Sequence, residues 1–318
     1  MTRSVLVTGA GGYVGGQLIE SLAAAPGRLT TIVAMDVREP SERLDGITYV
    51  TMDIRDRALE RVLAEHEIDT VVHLAAIVTP GRTPDRDLEY SIDVGGTENV
   101  LESCVGAGVR KVIVSSSGAA YGYHADNPEW LGEDDPLRGN VEFAYADHKR
   151  QVEEMLAAWR CEHPELGQLV FRPGTILGRG TRNQITDLFD RRIIMGIRWA
   201  PTPFVLIWDQ DVVACLRRGI FTDLTGVFNL AGDGVLTLAE MAERMGKRYV
   251  AVPARVVRGA LAVLRRLRLT QYGPEQVDFL RYRPVLSNRR LKGEFGYVPQ
   301  KTTSEVFDEF LAGRRDRP

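Results

Sequence analysis

The feature that most restricts the fold lies at the start of the chain. An apolar run at residues 4–7 leads into Gly9, Gly11, Gly12 and Gly15, and a helical pattern leads out over residues 13–25. A strand, a glycine loop and a helix start, in that order, build an anion site. The first N–H groups of a helix are unpaired, and its dipole favours negative charge there. Gly9 permits the tight turn, Gly12 lets a pyrophosphate approach the backbone, and Gly15 lets the helix lie close on the strand. A second apolar run at residues 31–35 ends in Asp36, 21 residues beyond Gly15. A carboxylate there accepts hydrogen bonds from an adenine ribose and repels a 2′-phosphate, which favours NAD over NADP. Arg38, close by, is the residue that argues for NADP.

The alternation continues. Strands are predicted at 47–52, 69–74, 111–114, 168–171 and 227–230, and helices at 57–65, 85–107, 145–159 and 209–222. Apolar strands alternating with helices give an α/β fold, a Rossmann-type doubly wound parallel sheet covered on both faces. Ligands of such sheets lie beyond the carboxyl ends of the strands. Asp36, Asp53, Ala75 and Ser115 all fall at strand ends and are expected to face one crevice. Asp53 is equally suited to an adenine amine and to capping a loop. His73, without a second metal-type ligand at useful spacing, reads as a satisfied core histidine. No metal site is expected.

Composition excludes several classes. The 318 residues are long enough for one large or two ordinary domains. The net charge of −3 gives no global field for nucleic acid or anionic lipid. No apolar run reaches the ~18 residues of a membrane span. The first strand begins within four residues, which leaves no room for a signal peptide. Cys104, Cys161 and Cys215 are widely spaced and read as reduced core residues, consistent with a cytoplasmic protein.

Two stretches carry the chemistry. Ser115, Ser116 and Ser117 follow a predicted strand, where a hydroxyl can donate to a substrate oxygen. Tyr145 and Lys149 stand four apart at the start of a predicted helix and share a face. A free phenol has a pKa of about 10, and an adjacent ammonium is expected to favour the phenolate. Tyr145 would then exchange a proton with an alcohol or ketone while a nicotinamide takes or gives hydride, and Lys149 would also hold the nicotinamide ribose. The cofactor set read here is Gly9, Gly11, Gly12, Tyr13, Val14, Gly15, Asp36, Arg38, Asp53, Ile54, Leu74, Ala75, Ala76, Tyr145, Lys149 and Arg172.

Taken in order, these stretches resemble the extended short-chain dehydrogenase/reductase family, in particular its NAD-dependent epimerase/dehydratase group. Thr8-Gly9-Ala10-Gly11-Gly12-Tyr13-Val14-Gly15 is similar to that family's TGxxGxxG loop. His73-Leu74-Ala75-Ala76, Gly96-Thr97-Glu98-Asn99-Val100-Leu101, Ser115-Ser116-Ser117 and Tyr145-x-x-x-Lys149 are similar to its later motifs. The resemblance implies that Ser117, with Ser116 as the second choice, polarises the carbonyl. It implies that Tyr145 is the acid/base and that Lys149 tunes it. It also implies a homodimer built on helices 85–107 and 143–159. Asp93 departs from the pattern, since many relatives carry Asn before the Gly-Thr pair.

The second half is less regular. Residues 1–173 are expected to form the NAD-binding domain and 174–318 mainly a smaller mixed substrate lobe, with 209–234 returning to the core sheet. The family's diphosphate-binding Arg position is taken by Phe204, and Thr175 stands where Asn often contacts a sugar nucleotide. Arg179, Arg182 and Arg283 are candidate replacements. Phe204, Trp199 and Trp208 suit a less polar substrate or core packing. Residues 254–269 alternate arginines with apolar residues; this reads as a surface helix burying one face rather than a membrane-surface helix. The leading reading is an NAD-dependent oxidoreductase acting on a small-molecule secondary alcohol or ketone, with no nucleic-acid or membrane partner. The alternatives are a sugar-nucleotide 4-epimerase or dehydratase proper, and a catalytically silent NAD-binding sensor.

Overall fold

The computed structural model describes residues 2–78, 85–267, 273–274 and 276–315. Seven strands form one parallel sheet: β1 (Ser4–Thr8), β2 (Thr31–Asp36), β3 (Thr48–Thr51), β4 (Thr70–His73), β5 (Lys111–Ser115), β6 (Gly167–Pro173) and β7 (Gly226–Leu230). Their spatial order is β7-β6-β5-β4-β1-β2-β3. Every neighbouring pair is parallel, and Val5 pairs with both Ile32 and Thr70.

Period-two alternation places the core on both faces. Val5, Val7, Ile32 and Ala34 pack with helices α1 (Tyr13–Ala24) and α4 (Asp209–Phe221). Leu6, Val33 and Met35 pack on the opposite face with α2 (Gly96–Gly106) and α3 (Ala144–Glu162). The parallel doubly wound fold is the one the alternation predicts, and β7 joins its edge beside β6.

Three local expectations are corrected. The helix predicted at 85–107 is broken: Arg86–Tyr90 is α-helical, Ser91–Gly95 is a π turn, and α2 follows. Gly96 comes so close to Ile54 that a Cβ would stand 2.5 Å from its Cδ1. The π turn leaves the buried Asp93 carboxylate to accept Ile77 N–H at 2.8 Å. Cys161 is exposed on α3, whereas Cys104 and Cys215 are buried. Helix α5 (Ala254–Arg266) forms, but none of its residues is buried.

The C-terminal region has its own core, with Leu177, Phe189, Phe204, Leu206, Phe307 and Phe310 buried together. Among the described residues, three two-stranded sheets accompany it. Ile193–Ile197 and Arg248–Val252 form one of them, in parallel.

Candidate active site

The glycine loop turns between β1 and α1. Gly9 has φ 68°, and a Cβ there would stand 2.7 Å from Ala75 N. A Cβ on Gly15 would stand 2.1 Å from the Gly9 carbonyl oxygen. Neither position admits a side chain without moving backbone. Helix α1 begins after Gly12 with no side-chain cap and no acidic residue in its first turn. Its N-terminal N–H groups and dipole are thus left for an anion. Asp36 closes the loop's far side, accepting Gly11 N–H at 3.0 Å and Arg38 N–H at 3.1 Å. Each carboxylate oxygen keeps a lone pair for ribose hydroxyls. Arg38 is exposed and lies 3.8 Å from Asp36. Leu74 and Ala75 line the other side, both donating from their N–H groups to Thr8 Oγ1, with Ala76 following. This cradle fits a dinucleotide pyrophosphate and ribose.

Four members of the predicted cofactor set sit otherwise. The Tyr13 side chain turns to the C-terminal half, donating to Asp209 Oδ2 at 2.5 Å and accepting from Thr181 at 3.0 Å. Burial, then Asp209, pushes its pKa up to about 12. Its backbone, with that of Val14, remains part of the loop. The Asp53 carboxylate is engaged by Arg55 through Nε at 3.0 Å and Nη2 at 2.6 Å. Ile54 is buried in the core, and its carbonyl accepts from Asn99. Arg172 is buried and used up internally. Its Nε and Nη2 grip Glu153 at 2.8 and 2.7 Å, and its Nη1 donates to the Tyr121 hydroxyl and the Glu133 carbonyl. It braces the sheet, with every one of its nitrogens already donating to a protein oxygen.

Ser117, Tyr145 and Lys149 meet at the carboxyl end of β5. Ser117 Oγ accepts Ala119 N–H at 3.1 Å, and the hydroxyl is near enough to the Tyr145 phenol to favour its phenolate. Ser116 is turned away, donating to buried Glu153 at 2.6 Å. Lys149 Nζ lies 5.8 Å from the Tyr145 ring centre and donates to the Ser115 carbonyl at 3.2 Å. The expectation of an acidified phenol is not met in this state. Burial pushes Tyr145 up to about 12; the nearby Ser117 hydroxyl opposes this and the Asp93 charge adds to it. Burial likewise lowers the Lys149 pKa. Desolvation of both groups outweighs their proximity.

Sequence reasoning missed the support beneath them. Asp93 and His148 are buried together, with Oδ2 3.3 Å from Nδ1, and His148 Nε2 has no partner among the described residues. His73, read from the sequence as a satisfied core histidine, is indeed buried and bonded at both ring nitrogens, to Thr8 at 2.8 Å and Thr97 at 3.1 Å. Glu153 continues the Tyr145, Lys149 spacing by four more residues. A carboxylate among the buried Val152 and Leu156 was the available signal. Asp93 was visible only as a departure, because its role depends on the π turn.

Above the Tyr145 end lies Arg283. Its guanidinium stands 4.1 Å over the Phe204 ring and 5.1 Å from the Phe279 ring, and Nη2 reaches Thr175 Oγ1 at 3.3 Å. Nη1 is buried without a partner, and burial lowers the group's pKa. Phe279, Tyr145, Phe143 and Tyr123 belong to one aromatic cluster. Arg179 instead pairs with Glu309. Phe204 is buried in the C-terminal core, Trp208 lies beneath Lys301 at 4.7 Å, and Trp199 is 92% exposed, neither in the core nor in the crevice.

Comparisons with known proteins agree with this arrangement. An uncharacterised protein of Mycobacterium tuberculosis is 28% identical over 317 residues, covering 98% of this chain and 84% of its own length. The N-acetyl-alpha-D-glucosaminyl-diphospho-ditrans,octacis-undecaprenol 4-epimerase of Escherichia coli O157:H7 is 35% identical over 190 residues, 59% of this chain and 53% of its own length. A Thermus thermophilus UDP-glucose 4-epimerase, solved with NAD, shares the fold with TM-score 0.76 at 21% identity, over 99% of this chain and 100% of its own. Residues 5–200 match a family description that coincides with the glycine cradle and the Ser117, Tyr145 and Lys149 cluster, and on that match the chain belongs to the NAD dependent epimerase/dehydratase family.

Proposed function

We propose that the protein transfers hydride at a secondary alcohol or ketone of an anionic small molecule, with Tyr145 as the acid/base. The observation that carries this reading is the meeting of the Tyr145 phenol with Ser117, in front of Lys149, at the strand ends beside the glycine cradle. Bound NAD supplies the hydride acceptor and a positively charged ring. Gly9, Gly11, Gly12, Val14 and Gly15 would receive its pyrophosphate, Asp36 its adenine ribose, and Leu74 to Ala76 the wall behind it.

The chain's own groups then have distinct tasks. Ser117 accepts from Ala119 through Oγ, so its hydroxyl proton is available to the substrate oxygen. Tyr145 takes or returns the proton of that same oxygen. Without added positive charge the phenol keeps its proton at neutral pH, because burial opposes the phenolate. Lys149 is fixed by the Ser115 carbonyl and partly offsets that cost. Arg283 would receive the anionic part of the substrate, since it is a buried guanidinium with no carboxylate partner among the described residues. A sugar joined through a diphosphate to a nucleoside or a polyprenol supplies both the alcohol and the anion. The names of relatives in both of these substrate classes support it. In this reading residues 1–173 hold the cofactor, and residues 174–318, apart from 209–234, hold the substrate. The active form is a cytoplasmic homodimer through the helices around α2 and α3.

The test is conversion of UDP-glucose, UDP-glucuronic acid and dTDP-glucose by the NAD-loaded protein, followed by chromatography. Conversion of at least one, dependent on NAD, is expected. NAD binding without conversion of any member, or of a polyprenyl-diphosphate-linked N-acetylglucosamine added to the panel, contradicts the reading.

A further inference from the structure

The net charge of the chain conceals a strong local asymmetry. Residues 191–199 and 247–267 contain nine Lys and Arg and no Asp or Glu, leaving 31 basic against 43 acidic residues elsewhere. The fold brings these two segments together. Ile193–Ile197 pairs with Arg248–Val252, Arg198 N–H donates to the Val252 carbonyl at 2.9 Å, and α5 begins two residues further on. Trp199 is thereby held beside the start of α5.

The same segments expose apolar side chains. Ile193 and Met195 point outward from their strand. Trp199 is 92% exposed at φ 62°, a conformation uncommon for a bulky residue. On α5, Val256, Ala260, Val263, Leu264 and Leu267 recur at helical spacing as one exposed stripe, while Val257 and Leu261 are half-buried. Arg258 is tied to Asp278 at 2.7 Å, whereas Arg248, Arg255 and Arg266 are exposed. Among the described residues, no ion pair engages these last three.

We propose that this face docks on an anionic lipid surface, with α5 lying in the interface and Trp199 at its edge. Charge complementarity selects the occupant. A surface with a local excess of arginine, one of which, Arg258, is paired to a carboxylate, takes an anionic partner, and an arginine-flanked apolar helix with low overall hydrophobicity suits the boundary between headgroups and acyl chains. Arginine stems lie along such a surface while the guanidiniums reach phosphates, and tryptophan is favoured at that depth. Nucleic acid fits less well, because apart from Trp199 the exposed apolar side chains of this face are aliphatic and offer no run of stacking platforms for bases. This differs from a membrane span: no described helix is long and apolar enough for one.

The experiment is co-sedimentation of the full chain with phosphatidylcholine vesicles and with vesicles of equal parts phosphatidylcholine and phosphatidylglycerol. The protein is expected to sediment with the mixed vesicles only. Replacing Arg248, Arg255 and Arg266 together with Gln is expected to weaken that partitioning by about a hundredfold. Trp199→Phe is expected to remove most of the blue shift in tryptophan emission that the mixed vesicles induce. Unchanged NAD affinity in both variants reports an intact fold. Failure of the wild type to sediment with the mixed vesicles overturns the proposal, as does undiminished binding by the triple variant. So does binding to duplex DNA with none to vesicles. The face instead covers a second copy if Leu264→Glu turns a dimer into a monomer and leaves vesicle binding unchanged, which also overturns it.

Discussion

Two buried arginines, one in each half of the molecule, are held in opposite ways. Arg172 at the end of β6 is enclosed by Glu153, Tyr121 and the Glu133 carbonyl, so each of its nitrogens has an oxygen partner. Arg283, in the C-terminal region, lies between aromatic rings with a single side-chain hydroxyl at 3.3 Å and one buried nitrogen unpartnered. Arg172 is electrostatically complete within the protein. The substrate half is a site that a ligand has to complete. A buried charge with its partner is part of the frame, and a buried charge without one indicates what the ligand brings.

The contrast is sharpest in stability. Arg172→Met leaves Glu153 buried and unpaired, and is expected to cost about 3–5 kcal/mol in urea unfolding. Arg283→Met removes an unpaired buried charge and is expected to leave the unfolding midpoint unchanged or higher. Equal losses in the two variants would erase the distinction. Arg283→Met is instead expected to raise KM for a converted nucleotide sugar by about 10–100-fold, the worth of one charged hydrogen bond. Unaltered KM and kcat would remove the anion-binding role.

A smaller effect is expected at Asp93. Its carboxylate disfavours the Tyr145 phenolate. Asp93→Asn removes that negative charge, so the phenol pKa falls. The acid limb of the alcohol-oxidation profile then moves to lower pH, by less than about one unit and under tenfold in rate. A move to higher pH, or none, would separate Asp93 from the phenol. The direction is informative even though burial of Tyr145 remains the larger contribution.

The two halves also differed in how far the sequence could be read. The sheet was legible because continuous apolar strands alternate with helical patterns, and because the Gly9–Gly15 loop tolerates so few backbone shapes. Ser117, Tyr145 and Lys149 were legible as local spacings. Arg172 was misread because its partner, Glu153, stands 19 residues away, and no local pattern reports a pairing across that distance. The direction of the Tyr13 side chain was not legible for the same reason, its partner being 196 residues distant. The acidified phenol was misjudged by weighing a neighbouring charge without the cost of burial. The arginine-rich helix was weighed by the net charge of the whole chain, although the two segments that meet there, 191–199 and 247–267, contain no Asp or Glu.

The most direct test of the account is reduction of bound NAD in a single turnover. Wild type and Tyr145→Phe are compared with the most rapidly converted of UDP-glucose, UDP-glucuronic acid and dTDP-glucose. Reduced nicotinamide is expected to form in the wild type and to form about a thousandfold more slowly in Tyr145→Phe, with NAD affinity within about twofold. Reduction at the same rate in both proteins would contradict it, because the proton would then travel through a group other than the Tyr145 phenol.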